Sequence, residues 1–459
     1  MNAQVERLSL LDLTNLAVEA ADTPMHQGGL GVLDGAHLLD SNGRVRIDEV
    51  RAHLESRLDR VPELRRTLWK TGPLEGAPVW VDDPGFRIED HVLVAHLPEP
   101  GGERRAIEFA KVTMAGLMDR SRPLWQLWLL EGYGPSEVGV FLKLHHVLAD
   151  GAAILKIITL LFDLEPGVVE APAKSWSPAP APTHGVLIRD NLVRKGATVG
   201  RALRRLAHPV ALLRSTALSC RGLWETVREG FGAPHTSFNR PIGFRRGLAV
   251  LRLPLRDVKD LAHARGVKVN DVILNLVAGG LREVLIARGE RVEGISLRAS
   301  MAVLMPTAEA DSVVGNHAGT MIVPLPVGEG NPDIRLAAIA ASTMRAKRKQ
   351  RAAVSQVFTV AMAVSGLTRF FIRRQHLVNV LETNLSGPPF PLFIAGARLR
   401  DAYAITPVAG NVTASFAALS YNGRLDLSVH VDADAWPDLD ILMRAMDADW
   451  RALVPAVAA

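Results

Sequence analysis

Between Val138 and Val147 the chain alternates. Val138, Val140, Leu142, Leu144 and His146 fall on one side, and Gly139, Phe141, Lys143, His145 and Val147 on the other. A period of two sustained over this length predicts a strand with its wholly apolar face buried. His146 continues that face while His145 shares the other with Lys143, so the two imidazoles are expected to point in opposite directions, His146 into the core. Asp150-Gly151 breaks the pattern. Ala152 to Phe162 is then apolar nearly all round, which predicts a buried helix with Asp150 near its N-cap. Upstream, Pro123 to Glu131 reads as a second strand and Gly132 to Ser136 as a turn, giving an antiparallel hairpin.

The same reading extends along the chain. Leu30 to Leu33 is a strand fed by a Pro- and Gly-containing turn. Ile47, Val50, Leu54 and Leu58 recur at helical spacing. From Glu165 to about Pro182 the composition shifts to Pro, Ala and Ser, a semi-extended linker. Residues 187–230 follow as helix, broken near Pro209, with an apolar and a cationic character combined. Val272 to Ala278 is helical, with Asn270 or Asp271 as N-cap. Met301 to Met305, Thr320 to Leu325 and Leu377 to Glu382 read as strands, and Asn331-Pro332-Asp333 caps a helix running to Lys349. Val412 to Tyr421 and Arg424 to Val431 form a hairpin around Asn422-Gly423. Pro437 to Val454 closes the chain as an amphipathic helix. Strands mixed with helices on both sides of a linker place the chain in the α/β (α+β) class. The boundaries are 1–164 for a first domain, 165–236 for the linker with its basic helices, and 237–459 for a second domain.

Composition narrows the setting. At 459 residues, 48% hydrophobic and 22% charged, the chain is long enough for two large cores. A net charge of +5 is mild for this length and speaks against nucleic acid as a partner. One cysteine, Cys220, excludes an internal disulfide framework and suits a reducing compartment. The first residues lack a signal-peptide profile, and no apolar run reaches about eighteen residues. A cytoplasmic protein is expected, with membrane contact at most peripheral. The basic helices after the linker suit an anionic lipid surface or the phosphates of CoA, and equally an ordinary solvated face.

The chemistry concentrates at the two histidines. A single histidine on an apolar face is ordinarily a hydrogen-bonded core residue. Two in sequence, His145 and His146, with Asp150 and Gly151 four and five residues after the second, point instead to a site on a strand-to-helix turn. A metal centre does not suit them, because neighbours on one strand diverge and no cysteine cluster exists.

This arrangement resembles the HHxxxDG signature of the CoA-dependent acyltransferase superfamily. Further stretches resemble the wax ester synthase/diacylglycerol acyltransferase family within it: Arg7-Leu8-Ser9 with Asp12, Thr23-Pro24-Met25-His26, Pro123-Leu124-Trp125, Asn270-Asp271, and Thr383-Asn384-Leu385-Ser386-Gly387-Pro388, where the family commonly has NVPGP. The resemblance spans essentially the whole chain. It implies a two-domain fold of mixed sheets flanked by helices, with an active-site tunnel at the domain interface. It implies acyl-CoA as a substrate rather than a cofactor, and diacylglycerol or a long-chain alcohol as acceptor. Contact with a membrane or lipid-droplet surface would be peripheral. His146 would be the general base, with His145 supporting the strand end and Asp150 and Gly151 holding the turn. Arg65 would pair with Asp150, with Arg298 as the rival partner. Asn270 would face the site and is the candidate oxyanion donor, with Asp271 beside it. Pro123, Leu124, Trp125, Asn384 and Gly387 would line the substrate path. The alternatives are transfer to another alcohol or an amine, a carrier-protein thioester as donor, or a non-catalytic lipid-surface protein of the same fold.

Overall fold

Alternating sequence becomes two six-stranded sheets. In the computed structural model, which describes residues 5–167, 176–206, 232–304, 318–350 and 368–454, the strands are β1 (His26–Asp34), β2 (Arg66–Trp69), β3 (Val79–Asp82), β4 (Val92–His96), β5 (Trp125–Gly134), β6 (Glu137–His145), β7 (Arg246–Pro254), β8 (Leu297–Leu304), β9 (Ala318–Leu325), β10 (Val380–Ser386), β11 (Leu392–Ile394), β12 (Ala397–Ile405), β13 (Ala414–Tyr421) and β14 (Arg424–Asp432). The helices are α1 (Leu10–Val18), α2 (Ile47–Glu55), α3 (Gly102–Ala115), α4 (Gly151–Leu161), α5 (His184–Leu206), α6 (Leu255–Ala264), α7 (Val269–Ala287), α8 (Pro332–Gln350), α9 (Thr368–Ile372) and α10 (Leu439–Leu453). The expectations around Pro209, Cys220 and Gly315-Asn316-His317 lie outside the described residues.

The first sheet runs β11-β12-β1-β6-β5-β4 and the second β7-β14-β13-β10-β8-β9, with β2-β3 a separate hairpin. The expected hairpins are present. β5 pairs antiparallel with β6 (Trp125↔Leu144), and β13 with β14 around Asn422 and Gly423, whose φ values of 46° and 84° are what a tight two-residue turn requires. Two strands depart from the sequence reading. β8 begins at Leu297, and β10 runs on to Ser386, so Asn384 is a strand residue rather than part of a turn.

One connection was not legible. β11 and β12 belong by sequence to the second half, yet they complete the first sheet, where β12 pairs antiparallel with β1 from Gly28↔Ile405 to Leu33↔Leu399. The second sheet lays one face on α7, α8 and α10 through residues such as Val277, Ile339 and Met446. Its other face meets the first half. Ala417 and Leu419 of β13 pack in the same core as Leu127, Val140 and Ile157. Polar bonds cross the junction as well: Ser415 Oγ donates to Thr406 O at 2.9 Å and His430 Nδ1 to the same carbonyl at 2.7 Å. No helix among the described residues is long and apolar enough to cross a membrane.

Candidate active site

β6 ends at His145, one residue earlier than the alternation suggests, because the chain folds back and Leu148 N donates to His145 O at 2.9 Å. The two imidazoles diverge as expected, His145 on the side of Lys143 and His146 beside Val140 and Leu142, but their burial is exchanged. His145 is the fully buried imidazole, while His146 sits in the turn, half-buried, with its N–H on Met25 O at 2.7 Å. His146, Asp150 and Gly151 line a cavity of about 270 Å³ between the two sheets. Its remaining wall is mostly apolar: Leu127, Val140 and Leu142 from the hairpin, Ile154 and Ile158 from α4, Leu385 and Leu419 from the second sheet.

His145 clamps the turn. Its Nδ1 accepts from Val147 N at 3.0 Å, which leaves the proton on Nε2 to be donated to Glu19 Oε1, also at 3.0 Å. Glu19 follows the last turn of α1. Met25 N donates to its Oε1 at 3.2 Å, and Arg120 donates Nε to Oε2 at 3.2 Å and Nη2 to the same oxygen. Burial alone would push the Glu19 carboxyl up, but His145 and Arg120 outweigh it and hold it at about 2. His26, edge-on to His145 at 5.6 Å between centroids, is pushed down to about 3 by burial, then by Lys143 and His145, and is neutral. Burial lowers Lys143 to about 8, and its ammonium donates to Thr113 O and Gly116 O, both at 2.7 Å. Glu19, His26 and His145 each offer a ligand atom within 4.8 Å of one another. With Arg120 and Lys143 already bringing positive charge to this cluster, the donor set does not suit a cation.

Asp150 is the N-cap of α4, its Oδ1 accepting from Ala153 N at 3.0 Å. Gly151 is the point where the halves touch. A Cβ there would lie 2.8 Å from Leu385 Cδ2 on β10. Leu385, one of the two changed residues of the NVPGP-like stretch, thus abuts the HHxxxDG glycine directly.

Other expected site residues are placed differently. Arg65 is buried but donates Nη1 to Asp59 at 2.9 Å and stacks over Trp176 rather than reaching Asp150. The short helical turn Pro62–Arg65 directs it there. Leu124 and Trp125 are core residues and not cavity wall: Trp125 Nε1 donates to Leu64 O at 2.7 Å and its ring stacks on His91, and Pro123 lies with them. Helix α7 begins at Val269, so Asn270 and Asp271 fall inside its first turn rather than at the N-cap. Asp271 accepts from Lys268 N at 2.9 Å and Thr343 Oγ1 at 2.7 Å, a structural duty. Asn270 contacts Met301 Sδ and accepts from Asn384 Nδ2 at 2.9 Å, so these two amides are engaged with each other behind the wall formed by Thr383 and Leu385. Gly387 closes against β13, donating its N–H to Ser420 O at 2.9 Å.

The sequence reading passed over Asn15 and Glu19. A signal for them existed. Ser9 and Asp12 have the S-x-x-D spacing of a capping box, and the box is formed, with Asp12 N donating to Ser9 Oγ at 3.2 Å and Ser9 N to Asp12 Oδ2 at 2.8 Å. It announces α1, the element that carries Asn15 and leads into Glu19.

Comparison with known proteins identifies the family and the fold. Residues 8–273 match the wax ester synthase/diacylglycerol acyltransferase catalytic domain and residues 314–453 the C-terminal domain of the same family. A putative diacylglycerol O-acyltransferase of Mycobacterium tuberculosis is 32% identical across 95% of this chain and 88% of its own length. The probable diacylglycerol O-acyltransferase tgs1 of that organism is 33% identical over 81% of this chain and 80% of its own. Among solved structures, the wax ester synthase/diacylglycerol acyltransferase from Marinobacter aquaeolei VT8 superposes with a TM-score of 0.68 at 21% identity, covering 97% of this chain and 98% of that one. The first condensation domain of the calcium-dependent antibiotic synthetase gives 0.62 at 14% identity, covering 99% and 96%.

Proposed function

The chain belongs to the wax ester synthase/diacylglycerol acyltransferase family, and from that premise we propose that it moves a long-chain acyl group from acyl-CoA to the hydroxyl of diacylglycerol or of a long-chain alcohol. The observation that carries the reading is the placing of His146, Asp150 and Gly151 on one wall of an apolar cavity between the sheets. In the step, the acceptor oxygen attacks the thioester carbonyl as its proton passes to neutral His146. The C–S bond then breaks, and the same proton goes to the departing CoA thiolate. No acyl-enzyme forms. Neutral imidazole suits the task because its unperturbed pKa of about 6.5 lies near working pH. The apolar wall keeps out water, which would otherwise hydrolyse the thioester.

Helix α5 supports a lipid surface as the place of work. Val186, Leu192, Val193 and Val199 are exposed on it, and Arg189 and Lys195 lie among them in sequence. In this mechanism acyl-CoA is a substrate rather than a cofactor.

The test is release of CoA thiol from palmitoyl-CoA by purified protein, with dioleoylglycerol and hexadecanol supplied separately. Release should require an acceptor and fall roughly 10²–10⁴-fold in His146→Ala. Folded protein that releases no thiol with either acceptor would refute the transfer. Release undiminished in His146→Ala would refute the base.

A further inference from the structure

Helix α1 and the residue that ends it present one polar side chain to each histidine. Glu19 takes His145, and Asn15, one helical turn earlier, lies with its amide Nδ2 3.3 Å from His146 Nδ1. Asn15 is 8% exposed and is not part of the cavity wall, so it meets the imidazole from behind while His146 itself lines the cavity. An imidazole has two nitrogens on different edges, and the bond made at one decides which tautomer the other presents. We propose that Asn15 is a positioning residue for the acyl transfer, holding His146 by Nδ1 so that Nε2 faces the acceptor as the base.

The chemistry of the amide fits this duty. A base at Nε2 needs its proton on Nδ1 and an oxygen to accept it there, so the Asn15 amide turns by half a rotation about its last bond to put Oδ1 in place of Nδ2, an exchange that the near-identical shape of the two ends permits. The same oxygen remains a partner when the ring becomes imidazolium, because Nδ1–H is retained. The amide is neutral, so it orients the ring without fixing a charge next to it. The capping box at Ser9 and Asp12 anchors the start of the helix, and the Glu19 contacts anchor its end. Asn15 is therefore held at both sides along the chain.

This inference rests on the acyltransferase reading, and one set of measurements separates the two. Wild type, Asn15→Ala and Asn15→Asp are compared by CoA-thiol release from palmitoyl-CoA across pH, with the thermal midpoint of each. Asn15→Ala should lower kcat roughly 10- to 100-fold, the scale found when a partner that orients an imidazole is removed, with KM for acyl-CoA within about twofold. Asn15→Asp should keep most of the rate, because a carboxylate still accepts from Nδ1–H. It should also move the acidic limb of the kcat profile to higher pH, because an anion beside the ring favours imidazolium. Among the described residues, the ionisable groups on the elements about this site include Asp12 on α1, Asp150 on the α4 cap, His145 on β6, His26 on β1, Glu19 with Arg120, and Glu382 and Tyr403 in the cavity wall. All are unchanged in both variants, so a difference between the two pH profiles reports the Nδ1 partner. A folded Asn15→Ala with wild-type kcat overturns the inference, as does an Asn15→Asp whose profile is not displaced. Absence of thiol release in the wild type would instead overturn the acyltransferase reading.

Discussion

Glu382 carries a carboxyl with no place for its charge. On β10 it stands opposite Met301 and Phe416, residues of the core beneath the second sheet. Neither oxygen has a well-formed hydrogen bond. Burial pushes its pKa up from 4.5 to about 8, and the neighbouring Asn270 amide opposes this only in part. Across that window the folded protein keeps a proton that the unfolded chain has released, so this group's effect on stability worsens as pH rises from about 4.5 to about 8. Glu382→Gln removes the ionisation with little change of shape. Its thermal midpoint should exceed that of the wild type by more at about pH 8 than at about pH 5. Parallel midpoints across that range would mean that Glu382 is not held neutral. At this scale the sequence was legible in part. Asp150 was placed at its cap because capping depends on local spacing. The faces of His145 and His146 were legible but their burial was not, because alternation does not say where a strand stops, and a turn bonded at Leu148 ended it one residue early. Arg65 was assigned to the wrong carboxylate because Asp59 competes from six residues away, which no spacing rule weighs.

Helix α4 and strand β10 meet through one glycine. The space that a Cβ at Gly151 would need is filled by the Leu385 methyl groups, at 2.8 and 3.2 Å. Gly151→Ala must therefore displace Leu385 into the cavity or tilt the helix whose cap is Asp150. The expected result is a several-fold loss of kcat/KM and a loss of stability on the order of 1 kcal/mol. Leu385→Val removes the offending atoms, so the double variant should recover much of both. A double-mutant cycle in kcat/KM and in denaturant unfolding measures this coupling. Additive effects would mean that the two elements are not in contact as described. Elements with strong periodicity were legible: the β5–β6 and β13–β14 hairpins and α10 formed close to their expected places. Helix α3 was not, because its buried stripe is only Ala106, Ala110 and Met114 among charged neighbours, too small an apolar signal to stand out.

The two halves of the molecule are not separable by cutting at the linker. The Pro- and Ala-rich segment marks a change of composition, yet β11 and β12 return across it to finish the first sheet. Sequence periodicity identifies strands but is silent about partners 370 or so residues away, since pairing is decided by the whole packed arrangement. Removing β12 leaves one edge of β1 without backbone partners and takes Leu399, Tyr403 and Ala404 out of the cavity wall. A fragment ending at residue 236 should therefore show no cooperative thermal transition and should aggregate. Co-expression with residues 237–459 should restore soluble protein, and with it thiol release. A stable, cooperatively folding N-terminal fragment would contradict the shared sheet.

The β1–β12 pairing also sets a schedule for biosynthesis. At elongation rates of about 5–20 residues per second, about 20 to 75 s separate the appearance of β1 from that of its partner. Through that interval the edge of β1 is open to any other extended chain, a hazard that falls on crowded polysomes. The nascent protein therefore has most need of a holding chaperone before β12 emerges. The cavity wall is completed only when β12 docks, so no partly made chain presents the finished site to cellular thioesters.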